Sequence, residues 1–274
     1  MVEDVPRMSV LRWAGSKRCA SDDLERVFVE CGPIETFWEP FGGSLSATMV
    51  ALRAGAKRLV VSDVNASLVN FYAHLRERPE EVIERLGTIQ DDFYENRTAY
   101  NSETDPIQKA ALFYYLNGTC FNGLFRENKR GEYNVPWGKR KFSFDPEELR
   151  MFSRMLHRIE LYAMEYDRYF DRFLSCMGPG DLLYADPPYY ATFSSYDKKT
   201  FSKEDHEHLK VQCDAARSRG VRIVASNSDD PFVRDLWSPD YVLRDFKNVR
   251  LFNPNGKDRG TRNREILATS NNEP

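Results

Sequence analysis

The chain has 274 residues, enough for one large domain or two smaller ones, and lies above the size at which disulfides or a structural metal must stand in for a core. Hydrophobic residues make up 41% and charged residues 30%, and no apolar run approaches the ~20 residues that span a bilayer, so a helical membrane protein is excluded. The net charge of −3 excludes a strongly basic chain that coats nucleic acid indiscriminately, and any grip on phosphate must come from local patches.

The stretch from Met1 to Arg12 carries Glu3, Asp4 and Pro6 and lacks the apolar core of a secretory signal, so a cytoplasmic location is expected. Cys19, Cys31, Cys120, Cys176 and Cys213 stand singly, with no C-x-x-C pair, which suits a reducing compartment and gives zinc no ligand set. From Ile34 to Glu39 the pattern is apolar and aromatic. The turn Pro40-Phe41-Gly42-Gly43-Ser44 follows, and then a helical run from Leu45 to Arg53. Strand, glycine turn and helix open a nucleotide-binding α/β unit. A second strand at Arg58 to Ser62 ends in Asp63, 20 residues beyond Gly43, the acidic position that takes a ribose hydroxyl in such units.

Between Ser67 and about His157 the periodicity turns helical. One helix is expected over Leu68 to Leu86 with a proline near its middle, others over Asp92 to Tyr100 and Ile107 to Tyr115. The same stretch holds a basic aromatic segment, Phe121 to Trp137, in which Gly131 and Pro136 signal a turn or short hairpin. Arg126 to Lys141 carries six basic residues against two acidic, a local charge of +4, and the tail from Asn248 to Arg264 is basic as well. The span 71–157 reads as an inserted domain, with 1–70 and 158–274 forming the other.

The α/β alternation resumes with a strand at Ile159 to Tyr166, a helix at Tyr169 to Cys176 and a strand at Asp181 to Ala185. A helix from Lys203 to Arg219 leads into a strand at Val221 to Ser226, and strands near Tyr241 to Phe246 and Glu265 to Thr269 close the chain. The fold class is therefore α/β, Rossmann-like, a mainly parallel sheet with helices on both faces plus the mostly helical insert. His206 and His208 at i and i+2 do not share a helix face and read as solvated residues, not as a metal pair.

The strongest chemical signal is Asp186-Pro187-Pro188-Tyr189 at the carboxyl end of a strand, where open α/β sheets bind their ligands. Two consecutive prolines remove two backbone donors and fix φ, leaving a rigid loop of acceptors. An exocyclic adenine amine has two N–H donors. The Asp186 carboxylate and the Pro187 carbonyl are suited to accept both, and Tyr189 to stack on the base.

These blocks together resemble the Dam-type DNA adenine methyltransferases of the alpha arrangement, in order and over nearly the whole chain. Arg12-Trp13-Ala14-Gly15-Ser16-Lys17 is similar to the family's N-terminal cofactor block and Glu39-Pro40-Phe41-Gly42-Gly43 to its glycine motif. Ser62-Asp63-Val64-Asn65 is similar to its ribose block. Phe121-Asn122-Gly123-Leu124-Phe125-Arg126 with Gly131 to Gly138 resembles its target-recognition hairpin, and Asp186 to Tyr189 with Ser226-Asn227 completes the set. The family's glycine motif reads Phe-x-Gly-x-Gly, whereas Leu45 stands here at the second glycine; opening the helix, it is expected to be tolerated.

The resemblance implies S-adenosylmethionine as methyl donor and adenine N6, flipped out of double-stranded DNA, as acceptor, with no metal and a monomeric, nucleoid-associated enzyme. It implies that Trp13, Ala14, Gly15, Lys17, Glu39 to Ser44, Asp63, Val64, Asn65 and Asp186 line the cofactor site, Lys17 pairing with the methionine carboxylate. It implies DNA contacts from Arg12, from Phe121 as a wedge, from Asn122 and Leu124 around the flipped base, from Asn134, and from Arg126 to a guanine edge. Pro136 would touch a thymine methyl, and Lys139, Arg140 and Lys141 phosphates, so that GATC or a related short palindrome is the expected site. Two alternatives stand beside this one. A methyltransferase acting on another amine, such as cytosine N4 or RNA, is disfavoured by the Asp at position 186, and a catalytically silent DNA-binding relative by the intact Asp186 to Tyr189 block.

Overall fold

A computed structural model describes residues 6, 9–17, 20–190, 201–249 and 262–270. Most of the basic Asn248 to Arg264 stretch lies outside the described residues. Ten α-helices and seven strands run in the order α1 (Ser21–Glu30), β1 (Thr36–Glu39), α2 (Ser46–Arg53), β2 (Arg58–Asp63), α3 (Ala66–Glu77), α4 (Pro79–Thr88), α5 (Phe93–Ser102), α6 (Pro106–Thr119), α7 (Pro146–Leu156), β3 (Ile159–Ala163), α8 (Tyr166–Phe173), β4 (Leu182–Ala185), α9 (Lys203–Ser218), β5 (Arg222–Ser228), α10 (Pro231–Trp237), β6 (Tyr241–Val249) and β7 (Arg262–Ser270), counted among the described residues. None of these helices is long and apolar enough to cross a membrane.

The seven strands form one sheet in the order β3-β2-β1-β4-β5-β7-β6. The first five are mutually parallel, and β7 enters antiparallel between β5 and β6. From β1 the chain winds outward to β2 and β3 on one side and to β4 and β5 on the other, so the switch point lies between β1 and β4. At that point two loops diverge and open a crevice at the carboxyl ends of the strands.

Alternation along the strands divides the core. Phe37, Leu59, Val61, Leu182, Tyr184, Val224 and Leu267 face one cluster with α1, α2, α3, α6 and α7, while Trp38, Val60, Leu183, Ala185, Ile223, Ala225 and Ile266 face the other with α8, α9 and α10. Each buried ring here removes about 150–250 Å² from water, worth about 4–6 kcal/mol at the usual area coefficient. An exposed ion pair such as Arg58–Glu160 contributes about 0–1 kcal/mol. The sheet is therefore held by its two apolar faces. The helices of the inserted stretch, α3 to α7, share the first cluster with the sheet, one continuous core.

Local chemistry sets the element ends, and here the sequence expectations need adjustment. The helix expected over Leu68 to Leu86 is two helices, because Pro79 opens α4 as its first residue and Arg78 breaks α3. The strand expected to reach Tyr166 stops at Ala163, and α8 begins at Tyr166 with Asp167 in its first turn. Helices α1, α7 and α10 went without an individual expectation. The last two carry the start signal of Asp followed by Pro, with Asp145 and Asp230 capping the first turn. The expectation for His206 is wrong. Only 2% exposed, it sits among Tyr190, Phe201 and Phe232, and burial pushes its pKa down to about 4. Its neighbour His208 is exposed.

Leu45 also departs from expectation. It is not the first helical residue but the cap before α2, with φ 60° and ψ 21°, the left-handed conformation a glycine would adopt at no steric expense. A left-handed leucine costs about 1–2 kcal/mol. Its side chain is completely buried in the first cluster, and burying a leucine contributes about 1.5–3 kcal/mol, which offsets the strain. The turn of the glycine motif is thus kept without its second glycine.

Candidate active site

The crevice between β1 and β4 is lined by three loops whose sequences were singled out above. The glycine loop after β1 is tied down at nearly every residue. Gly42 N–H donates to the Ser62 carbonyl at 2.7 Å, Ser62 Oγ donates to the Pro40 carbonyl at 3.2 Å, and Gly43 N–H donates to Asp63 Oδ2 at 2.8 Å. Tyr72 closes the loop from below by donating to the Gly43 carbonyl at 2.9 Å. Ser44 and Ser16 both bond the Ser46 hydroxyl at 2.8 Å, joining the loop to the N-terminal block. Phe41 stacks on Tyr166 with ring centres 5.6 Å apart.

Asp63 ends β2 with one oxygen on Gly43 N–H and the other on Asn65 N–H, and burial raises its pKa against those two bonds. Each carboxylate oxygen keeps a further lone-pair direction for a hydroxyl donor. Val64 beside it is an apolar side chain 66% exposed, and Asn65 caps α3 through Leu68 N–H. Glu39, at the end of β1, is buried and bonded by the Thr48 hydroxyl; burial holds its pKa well above the usual carboxylate range.

Across the switch point, Asp186 follows the last residue of β4. Lys17 Nζ donates to its two oxygens at 2.7 and 2.5 Å, and Ser226 Oγ of β5 donates to Oδ1 at 2.6 Å. Tyr184 reaches the same serine, hydroxyl to hydroxyl at 3.0 Å. The pair is enclosed, with side chains 3% exposed for Lys17 and 17% for Asp186. Lys17 also donates to the Gly15 carbonyl at 3.0 Å and lies 5.0 Å from the centre of the Tyr189 ring. In the turn itself Pro187 is buried and Pro188 exposed. The Tyr189 hydroxyl donates to Glu265 Oε2 at 2.9 Å, and the next residue, Tyr190, donates its N–H to Asn227 Oδ1 at 3.1 Å. Burial, then the negative charges of Asp186 and Glu265, hold the Tyr189 phenol well above its ordinary pKa, so it remains a donor.

The N-terminal block bridges the crevice to the basic aromatic segment. Trp13 lies against Gly43, where an added Cβ would meet the indole at 3.2 Å, and stacks on Phe125 with ring centres 6.3 Å apart. Asn117 clamps Arg12 with a two-way amide bond at 2.8 Å each way, while the Arg12 guanidinium reaches the Gly118 carbonyl at 3.4 Å. Ala14 and Gly15 are exposed.

The segment itself is a turn closed by two isolated bridges, Cys120 with Trp137 and Glu127 with Tyr133. Asn122 takes a left-handed conformation with φ 56°, and Gly123 packs so tightly on the Arg12 carbonyl that a Cβ would come within 2.4 Å of it. Arg126 is held by Asn134, whose Oδ1 and backbone carbonyl accept at 2.6 and 3.2 Å. Phe121 and Leu124 are half-buried, whereas Pro136, Lys139, Arg140 and Lys141 are exposed along one edge, with Trp137 44% exposed among them. The residues expected to bind the cofactor and to act in catalysis thus meet in one crevice, and the segment expected to read DNA adjoins it through Trp13 and Arg12.

A model of the D12 class N6 adenine-specific DNA methyltransferases matches residues 13–249, from Trp13 of the N-terminal block to the end of β6. The chain belongs to that family. It is 33% identical to a DNA adenine methylase of Serratia marcescens over 94% of this chain and 96% of that protein. It is 31% identical to the DNA adenine methylase of Escherichia coli strain K12 over 94% of this chain and 93% of that protein, and 32% identical to the retron Ec67 DNA adenine methylase of Escherichia coli over 84% and 80%. Among solved structures, an S-adenosylmethionine-dependent methyltransferase from Agrobacterium tumefaciens aligns at a TM-score of 0.44 and 10% identity, over 94% of this chain and 62% of that one.

Two residues that touch the candidate site escaped sequence reasoning. Asn117 is polar on a helix buried on every face from Ala110 to Leu116, and Glu265 is a charge at the head of the buried run Ile266-Leu267-Ala268. A polar group inside an apolar run is the signal for both, since a buried polar group needs a partner.

Proposed function

We propose that the enzyme transfers a methyl group from S-adenosylmethionine to the N6 amine of an adenine flipped out of duplex DNA, within GATC or a closely related short site. The observation that carries the reading is Asp186 at the end of β4, facing across the switch point the glycine loop and Asp63, in a chain of this family. The residues fit the donor. Asp63 has acceptor capacity left for a ribose, Val64 offers an apolar surface, and Lys17 is an enclosed cation suited to a carboxylate. S-adenosylmethionine supplies an activated methyl, so the protein need only align the amine and raise its nucleophilicity.

Asp186 would accept one N–H of the amine and the Pro187 carbonyl the other, raising the nucleophilicity of N6; as the N6–CH3 bond forms the S–CH3 bond breaks, S-adenosylhomocysteine leaves, and the surplus N6 proton is released to solvent. Tyr189 stacks on the base. Lys17, which donates to Asp186, would also pair with the methionine carboxylate and so tie the donor to the catalytic turn. The division of the chain follows the same logic, with 1–70 and 158–274 for donor and chemistry and 71–157 for target choice. Arg126, held flat by Asn134, would read a guanine edge, with Leu124 and Pro136 beside it, Phe121 filling the vacated stack, and Lys139, Arg140 and Lys141 on phosphates.

Incubation of a random duplex library with labelled S-adenosylmethionine, followed by nucleoside analysis and sequencing of the methylated positions, tests this directly. N6-methyladenine at GATC is expected. N4-methylcytosine, or label only in RNA, would overturn the reaction; a different motif would overturn GATC alone.

A further inference from the structure

One buried carboxylate beside the Asp186 turn has no part in the reaction as derived above. Glu265 lies on β7, 2% exposed, and its Oε2 accepts the Tyr189 hydroxyl at 2.9 Å. Strand β7 lies between β5 and β6, with Glu265 in register with Ser228 on one side and Phe246 on the other. The carboxylate is therefore carried by a strand paired along both edges, one of the least mobile positions a sheet provides. Placing a carboxylate there is unfavourable unless it is bonded, and a hydroxyl donating to it makes a short, charge-assisted bond.

Tyr189 needs such a tether. Its backbone is directed by Pro187 and Pro188, and its ring turns about two side-chain torsions that the Lys17 ammonium near its face and the Ser226 hydroxyl at its phenol restrict in part. A bond from the far end of the ring to β7 removes that freedom. We propose that Glu265 is a positioning residue for methyl transfer, fixing the plane of the Tyr189 ring so that the target base stacks with its amine at Asp186. The inference rests on the reading of Tyr189 as the stacking wall. A misaligned base is costly, since about 1 Å of displacement lowers a rate by about 10²-fold.

The test uses the whole enzyme with Glu265→Leu, Glu265→Gln, Tyr189→Phe and the double variant Glu265→Leu with Tyr189→Phe. It measures single-turnover methylation of one duplex, S-adenosylmethionine affinity, and the fluorescence of 2-aminopurine at the target position. Glu265→Leu is expected to slow transfer by about 10²-fold with cofactor affinity unchanged, and Glu265→Gln, whose amide carbonyl still accepts, to keep most of the rate. Tyr189→Phe should reproduce the leucine defect and the double variant should be no slower than the worse single variant. The flipped 2-aminopurine should be brighter in Glu265→Leu than in the unaltered enzyme, because stacking on the ring is lost. Additive losses, a normal rate in Glu265→Leu, or a defect confined to cofactor affinity or melting temperature would overturn the proposal. If the unaltered enzyme transfers no methyl to adenine, the reading of the reaction fails; equal 2-aminopurine fluorescence in the two enzymes then overturns the role of Glu265 separately.

Discussion

The carboxyl end of the sheet and the segment from Phe121 to Lys141 are built on opposite terms. At the sheet end, Asp186, Lys17, Ser226, Tyr184, Tyr189 and Glu265 form a largely enclosed network of hydrogen bonds and a cation–ring contact that holds their side chains in place. In the segment the backbone is pinned where Gly123 packs against Arg12, while Pro136, Trp137, Lys139, Arg140 and Lys141 stand in solvent. Chemistry needs groups that do not reorganise during reaction. Recognition of a long, salt-coated polymer needs charged side chains that reach it and exchange counterions. In the proposed reading each requirement falls to a separate region, and the two are joined through Trp13, which touches Gly43 on one side and Phe125 on the other.

The comparison predicts where each substitution will be felt. The largest effect belongs to Asp186→Ala, which should lower single-turnover methyl transfer by about 10²–10³-fold or more while DNA affinity stays close to normal. A near-normal rate would remove Asp186 from the chemistry. Asp63→Ala should weaken S-adenosylmethionine binding by about 1–3 kcal/mol, with a smaller change in rate at saturating donor. Calorimetry showing unchanged affinity would reduce Asp63 to a brace for Gly43 and Asn65. Alanine at Lys139, Arg140 or Lys141 should weaken binding to all duplexes alike and lower the salt slope by about 1 for each phosphate left without its cation. Binding titrations over a range of salt would show a sequence-dependent loss instead if these residues read bases.

A further effect is one of pH, read in stability and not in rate or binding. His206 packs against Tyr190, the residue after the Asp186 turn, with ring centres 5.7 Å apart, and burial lowers its pKa from the ordinary 6.5 to about 4. The folded state keeps it neutral where the unfolded chain already takes up a proton. Stability therefore falls as pH drops from 6.5 toward 4, and the loss is complete below about 4. His206→Phe should flatten that part of the pH dependence of the urea midpoint. An unchanged slope would place the acid sensitivity elsewhere.

The sheet end was the more legible region from sequence. The glycine loop and Asp63 stand 20 residues apart across one strand–helix–strand unit, and Asp186 is marked by its own Pro-Pro turn at a strand end, so local patterns at strand ends were enough to bring them to one crevice. What escaped was non-local. Asn117 meets Arg12 across 105 positions and Tyr189 meets Glu265 across 76, and no local periodicity records such pairings. Leu45 escaped for a different reason. Its left-handed backbone is sustained by burial of its side chain, a tertiary effect overriding a local preference. His206 likewise looked solvated in a polar helix because its partners come from α10 and from the Asp186 turn.

The division of labour between the two regions is tested most directly by methylating one random duplex library with the unaltered enzyme and with Arg126→Ala, and sequencing every methylated adenine. The account predicts that Arg126→Ala still forms N6-methyladenine but accepts other bases at one position of the site, a discrimination loss of about 1–3 kcal/mol. An unchanged site with a collapsed yield would contradict it, placing Arg126 in the chemistry and leaving the segment without a role in choice.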